Sequence, residues 1–191
     1  AKSIAPLPCG SRRAHKKARG LGQATGPLIE WLSSALNRGV LPAVGRGKER
    51  GIQGTIDAYE AVARRIAALK PDTLVVSSPH APLFRDCFYV SEGLHLHGTM
   101  APFGAPQEVL DAAYDVDLQK AIARLAAAAG VPVCGYPPED DVMDHATFVP
   151  LWFVAQRTPL PKVVRVGLSG LSADQNRRLG RAIARAATEL D

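Results

Sequence analysis

Apolar residues Ile56, Tyr59, Val62, Ile66 and Leu69 recur every three or four positions. That is the spacing of one helical face, and it predicts an amphipathic helix over 55–70, capped near Thr55 and ended by Pro71. Thr73 to Ser77 is a short β-branched run, the pattern of a buried parallel strand, and it empties into the rigid turn Ser78, Pro79, His80, Ala81, Pro82. A second helix is expected over 115–129, with Leu118, Ile122 and Leu125 on its apolar face and Gly130 as its stop. Residues 131–134 then read as a strand. Phe148 to Ala155 is apolar on nearly every side, residues 162–168 read as another strand, and Ser172 caps a last helix through Leu179, Ile183 and Leu190. Nearer the start, residues 26–36 predict one short helix, and five glycines follow between Gly39 and Gly54. Strands that read as buried on both faces and alternate with helices predict an α/β layered domain with a mostly parallel sheet flanked by helices, whose ligands sit beyond the strands' carboxyl ends.

Composition adds exclusions. Apolar residues make up 47% and charged residues 21% of the 191 positions, as in an ordinary globular protein. No run reaches the roughly 18–20 apolar residues of a membrane helix. Cys9, Cys87 and Cys134 are odd in number and scattered, so neither a disulfide framework nor a structural zinc site is expected, and the chain reads as cytoplasmic. The net charge of +5 is local: residues 1–50 hold ten Lys/Arg against Glu30 and Glu49, while the remainder holds thirteen against sixteen Asp/Glu. Residues 1–40 are therefore read as a basic, poorly ordered segment. Ser11 to Lys17, His15 included, is a solvated tail first and a phosphate-binding arm second. The segment contains no phosphate-loop motif. The chain starts at Ala1 without an initiator Met, which suggests processing or truncation.

Four histidines carry the candidate chemistry. His80 follows a buried strand between two prolines, a stiff support suited to metal ligation or acid/base work, against the plainer reading of a hydrogen-bonded core histidine. His95 and His97, two apart, share a face if the segment is extended and could then share a metal. Asp144 and His145 open the apolar run at 146–153; a carboxylate beside an imidazole at a helix start can tune proton transfer, or Asp144 simply caps the helix. Spacing does not separate these readings.

The segments PDTLVVSSPHAPLFRDCFYVSEG, FGAP, YDVDLQKAIARLAAAAGVP, MDHATFVPLWFV and VVRVGLSGLSADQNRRLGRAIARAA occur in that order. Together they resemble the catalytic-subunit domain of class III extradiol ring-cleavage dioxygenases, most closely the Memo-like branch found in AmmeMemoRadiSam system proteins, over residues 41–191. The resemblance implies a non-haem Fe(II) held by two histidines and an acidic residue, with catechol and O2 at its open positions. It also implies a metal-ligand role for His80, which matches the histidine of the family's S-P-H-A-P segment. His145 matches its D-H-G histidine, the acid/base. Two departures stand out. Where the family carries an early P-H-P-P segment, this chain has Ala35 to Arg38 ahead of Val40 to Gly45, with no histidine. The family's later S-G-D-L-S-H-like strand would begin beyond Asp191, so the domain reads as incomplete at its C-terminus. His95 and His97 match no recurring ligand of the family.

Three functions follow for comparison. The first is an Fe(II)-dependent oxidoreductase of aromatic compound metabolism that opens catecholic rings with O2. The second is a Memo-like binding component that keeps the fold without the oxygenation and acts beside a radical-SAM partner. Either is compatible with a homo-oligomer and neither with a membrane span. A nucleic-acid-binding protein ranks last, because the acidic remainder lacks Lys/Arg interleaved with aromatics.

Overall fold

A computed structural model of the protein describes residues 32–33, 38–135 and 142–190. Its centre is a three-stranded parallel sheet in the order β1 (Leu32–Ser33), β2 (Thr73–Ser78), β7 (Lys162–Gly167). β2 and β7 run in register from Thr73 opposite Lys162 to Ser78 opposite Gly167. In a parallel pair, opposed residues share a face. Leu74, Val76 and Val163 accordingly belong to one core cluster, and Val75, Val164 and Val166 to the other.

The first face is covered by α2 (Gln53–Leu69) and α4 (His145–Ala155). Ala63 and Ile66 of α2 join Phe148, Leu151 and Phe153 of α4 in its core, and Tyr59 stacks on Phe153 at 5.1 Å. Burial of Tyr59 there pushes its phenol above the ordinary value. α4 is apolar all round because it is enclosed on several sides, by α2, by β2 and by the strand His95–Met100. The second face is covered by α3 (Val116–Ala128) and α5 (Ala173–Glu189), through Leu118, Ile122, Leu125, Leu179 and Ile183. The expectation of one parallel sheet with the three amphipathic helices on its faces is met.

Five further helices and strands stand among the described residues. A short helix α1 (Pro42–Gly45) precedes α2. Strands β3 (Phe88–Tyr89) and β6 (Val133–Cys134) pair in parallel, Phe88 opposite Val133 and Tyr89 opposite Cys134. Strands β4 (His95–Met100) and β5 (Ala105–Ala113) form an antiparallel pair joined through a 3₁₀ turn, Ala101–Phe103. The outer edge of β7 is closed by irregular chain: Ser91 N–H donates to Arg165 O at 2.8 Å and Asp115 N–H to Val163 O at 3.0 Å.

Several expectations change. Residues 32–33 form a strand beside β2, Leu32 opposite Val76, where a helix over 26–36 was expected; a backbone partner in the sheet outweighs a weak local periodicity. The rest of that span, like most of residues 1–40, lies outside the described residues. Thr55 lies inside α2 and does not cap it; a 3₁₀ turn, Lys48–Ile52, leads straight into the helix. The other end is as expected, with Lys70 at φ 49° closing α2 ahead of Pro71. The cysteine reading is overturned: Cys87 and Cys134 form a disulfide, their Cα atoms 5.8 Å apart across 47 positions of sequence. The β3–β6 pairing creates that neighbourhood, and no spacing rule reveals it. With it falls the ground on which the cysteines pointed to a reducing cytoplasm. Cys9 lies outside the described residues. Among them, no helix is long and apolar enough to cross a membrane.

The helix caps are strong where the sequence signals them. Asp115 accepts from Leu118 N–H at 3.0 Å. Ser172 and Gln175 form a reciprocal capping box, Gln175 N–H donating to Ser172 Oγ and Ser172 N–H to Gln175 Oε1. Ser172→Ala is expected to lower stability by about 1 kcal/mol in urea unfolding, with the slope of the transition unchanged.

Candidate functional site

β2 ends at Ser78, a fully buried residue, and two positions later His80 stands exposed at the sheet's carboxyl edge. The Ser78 hydroxyl oxygen accepts from the His80 backbone N–H at 3.1 Å, which fixes the turn between Pro79 and Ala81. The same hydroxyl donates to Asp144 Oδ1 at 2.6 Å. Asp144 is the N-cap of α4, and His145 is that helix's first residue. One serine therefore ties the end of β2 to the start of α4, 66 positions later in sequence.

The consequence is convergence. The imidazoles of His80 and His145 lie 4.4 Å apart between centroids, tilted by 38°. Phe103, from the turn between β4 and β5, sets its ring edge against His145 at 5.4 Å. The β4 strand also locates this corner. Met143 N–H donates to His97 O at 2.9 Å, and Gly98 leaves room for Met143, whose Cβ would stand 2.7 Å from any Cβ at position 98.

Beneath the imidazoles lies a buried ionic layer. Asp144 Oδ1 also accepts from the backbone N–H groups of Ala146 at 2.9 Å and Thr147 at 3.0 Å, while Oδ2 accepts from the Thr147 hydroxyl at 2.9 Å. Arg165, 1% exposed, brings Nη1 to 3.5 Å from Asp144 Oδ2. It donates to Val142 O at 2.9 Å and to the Tyr89 hydroxyl at 3.3 Å, with its guanidinium 5.3 Å from the centre of the Tyr89 ring. Sequence reasoning passed over Arg165 and Phe103. The first had a signal: a single charge in the run Val163 to Val166, where every neighbour is buried, must find a buried partner. Phe103 had none, because its role depends on where the β4–β5 pair folds back.

His95 and His97 do share the exposed face of β4, as expected for an extended segment. His97 Nδ1 lies 2.7 Å from Asp111 Oδ1 on β5, and the pair is solvent-exposed. Neither histidine joins His80 and His145. Among the described residues no three His, Cys, Asp or Glu side chains come together as a metal set. The carboxylate adjoining His145 in sequence, Asp144, is already taken up by the helix start, Ser78, Thr147 and Arg165. The described residues thus offer two imidazoles and do not fit a two-histidine, one-carboxylate iron centre. Ala35 to Asn37, where the family places a further histidine, lie outside the described residues.

The ionic layer makes a sharp prediction. Asp144→Ala removes the cap and strands the Arg165 charge in the core, and is expected to cost about 3–5 kcal/mol in chemical denaturation. Ser78→Ala removes one hydrogen bond and is expected to cost about 1 kcal/mol. Equal small costs would show that the ion pair is not under strain from burial.

The sheet agrees with what comparison finds. Protein CA_C1420 of Clostridium acetobutylicum is 28% identical to this chain over 161 residues, which covers 80% of the chain and 34% of that protein. The chain thus spans about a third of the length of this curated relative. A family profile described as the catalytic LigB subunit of aromatic ring-opening dioxygenase matches residues 38–191, which include both histidines and the whole ionic layer. The chain belongs to that LigB dioxygenase family.

Proposed function

We propose that the α/β body from residue 41 onward is a class III extradiol dioxygenase-like domain that receives catecholic rings. His145 is its proton-transfer group and His80 its metal-ligand position. The observation that supports this is the convergence of two imidazoles at 4.4 Å from segments 65 positions apart, on a support tied together by Ser78 and Asp144. A neutral imidazole accepts a proton from a phenolic hydroxyl within hydrogen-bond reach, and the Asp144 cap holds His145 at a fixed point beside His80. Phe103 gives His145 an aromatic neighbour, a surface on which a flat ring can pack. Aromatic substrate and O2 are the reactants the family implies, and non-haem Fe(II) is its usual metal.

Iron is where the chain departs from that pattern. Stable divalent sites gather three or more protein ligands, and two imidazoles hold a labile ion weakly against water. We therefore expect this chain to bind the ring and to cleave it poorly. The same two-ligand set favours a second reading, a binding component that keeps the fold without the oxygenation and works beside a radical-SAM partner.

Anaerobic Fe(II) titration, followed by oxygen uptake with protocatechuate, decides between them. Weak, unsaturated Fe(II) binding with protocatechuate bound and little oxygen consumed is the expected result. In the same assay His145→Ala should weaken protocatechuate binding roughly ten-fold. Stoichiometric Fe(II) binding with sustained, protocatechuate-dependent oxygen uptake would show that another part of the chain supplies the missing ligand. Absence of protocatechuate binding would remove the catechol reading altogether.

A further inference from the structure

The Cys87–Cys134 disulfide sits where it can govern the histidine pair. Cys87 is seven positions after His80, and Cys134 is eleven before His145. The crosslink therefore joins the two stretches of chain that deliver the two imidazoles. Besides it, these stretches meet through β3 and β6, two residues each, with backbone bonds from Phe88 N–H to Pro132 O at 3.0 Å and Val90 N–H to Cys134 O at 3.1 Å, and through the Ser78–Asp144 hydrogen bond at the far end. The covalent link adds to a backbone ladder of only two residues per strand.

A contiguous set of contacts leads from the disulfide to the site. Cys87 adjoins Phe88 and Tyr89 of β3, and the Tyr89 hydroxyl accepts from Arg165. Arg165 pairs with Asp144, and Asp144 caps the helix that begins at His145. Tyr89 is held closely in this set: a Cβ added to Gly167 would come within 3.0 Å of the Tyr89 Cβ. A shift of β3 on release of the crosslink would pass along these contacts to Tyr89, Arg165 and Asp144.

We propose that the Cys87–Cys134 disulfide is a redox-sensitive staple that holds His80 and His145 in register, so that reduction by a dithiol loosens the pair and weakens ligand binding there. Cys87 is buried, whereas Cys134 is only partly so, which makes Cys134 the reachable sulfur. A thiolate of the external dithiol attacks Cys134 Sγ, the Cys87–Cys134 bond breaks, and Cys87 leaves as a thiolate that takes up a proton. The second thiol of the reagent then attacks its partner sulfur in the mixed disulfide and releases Cys134. The dithiol ends as a disulfide, and the protein as two thiols.

The ligand part of this inference rests on the catechol reading; the structural part does not. The test uses the full chain carrying Cys9→Ser, titrated anaerobically across ratios of reduced to oxidised dithiothreitol. Thiol alkylation with mass analysis gives the redox state, the imidazole NMR signals of His80 and His145 give the geometry, and protocatechuate is the binding probe. Reduction is expected to add two alkylated thiols, to shift both imidazole signals, and to weaken protocatechuate binding roughly ten-fold. The Cys87→Ser, Cys134→Ser double variant should match the reduced form and ignore dithiothreitol, while retaining the circular dichroism of the oxidised protein. Two free thiols in the oxidised buffer, or imidazole signals unmoved by reduction, would overturn the staple. Imidazole signals that move while protocatechuate binds in neither state would leave the staple standing and sink the catechol reading alone.

Discussion

Every part of the candidate site meets at the Asp144 carboxylate. It caps α4 through two backbone N–H groups, takes the Ser78 hydroxyl from the end of β2, and faces the buried Arg165 of β7. A carboxylate with 12% of its side chain exposed is costly to bury without partners. Here the helix start and the guanidinium supply them, and the carboxylate in turn makes Arg165 tolerable at 1% exposure. Neither buried charge is stable without the other. The position of His145 follows from that mutual requirement, since it is the residue next to Asp144.

Why the pair lies at this end of the sheet follows from register. Ser78 opposes Gly167 and Val76 opposes Arg165, so the face that carries Leu74 and Val76 toward α4 also carries Ser78 and Arg165. Parallel strands open their carboxyl ends to the same edge, where ligands of α/β sheets bind. Gly167 at that edge leaves the space that the Pro82 carbonyl and Tyr89 occupy, within 2.6 Å and 3.0 Å of where a Cβ would stand. The end of the turn that bears His80, at Ala81 and Pro82, can therefore fold down against β7 while His80 itself stays exposed.

The sequence exposed those parts of this arrangement that depend on local periodicity. α2, α3 and α5 declare an apolar face every three or four residues, and β2 and β7 carry the runs Leu74 to Val76 and Val163 to Val166, rich in β-branched residues and broken only by Arg165, that mark buried strands. The β4–β5 pair was not legible: its interior holds His95, His97, Glu108 and Asp111, whose polar side chains suit an exposed sheet face but mask a strand pattern. Strand β1 failed for the opposite reason, as two residues carry no period and only the edge of β2 makes them a strand. In the site, His80 was marked by its flanking prolines and by the strand before it, and His145 by the capping aspartate. Their proximity was not encoded in either motif alone. It came from resemblance, and the hydrogen bond between Ser78 and Asp144 now supplies its cause. The disulfide was illegible because Cys87 and Cys134 become neighbours only when β3 pairs with β6.

The same carboxylate bears on how the chain can treat a metal. Asp144 adjoins His145, and its recruitment would complete a two-histidine, one-carboxylate set. Turning it outward would forfeit the helix cap and leave the Arg165 guanidinium buried without its counter-charge, together about 3–5 kcal/mol. A single added ligand on a labile divalent ion must exceed that sum before it stabilises anything. Asp144 is thus bound to its structural role by the buried arginine. A third donor, if this fold is to hold iron, has to come from a segment that owes nothing to Arg165. The constraint that fixes His145 so firmly is the one that keeps its neighbouring carboxylate out of the coordination sphere.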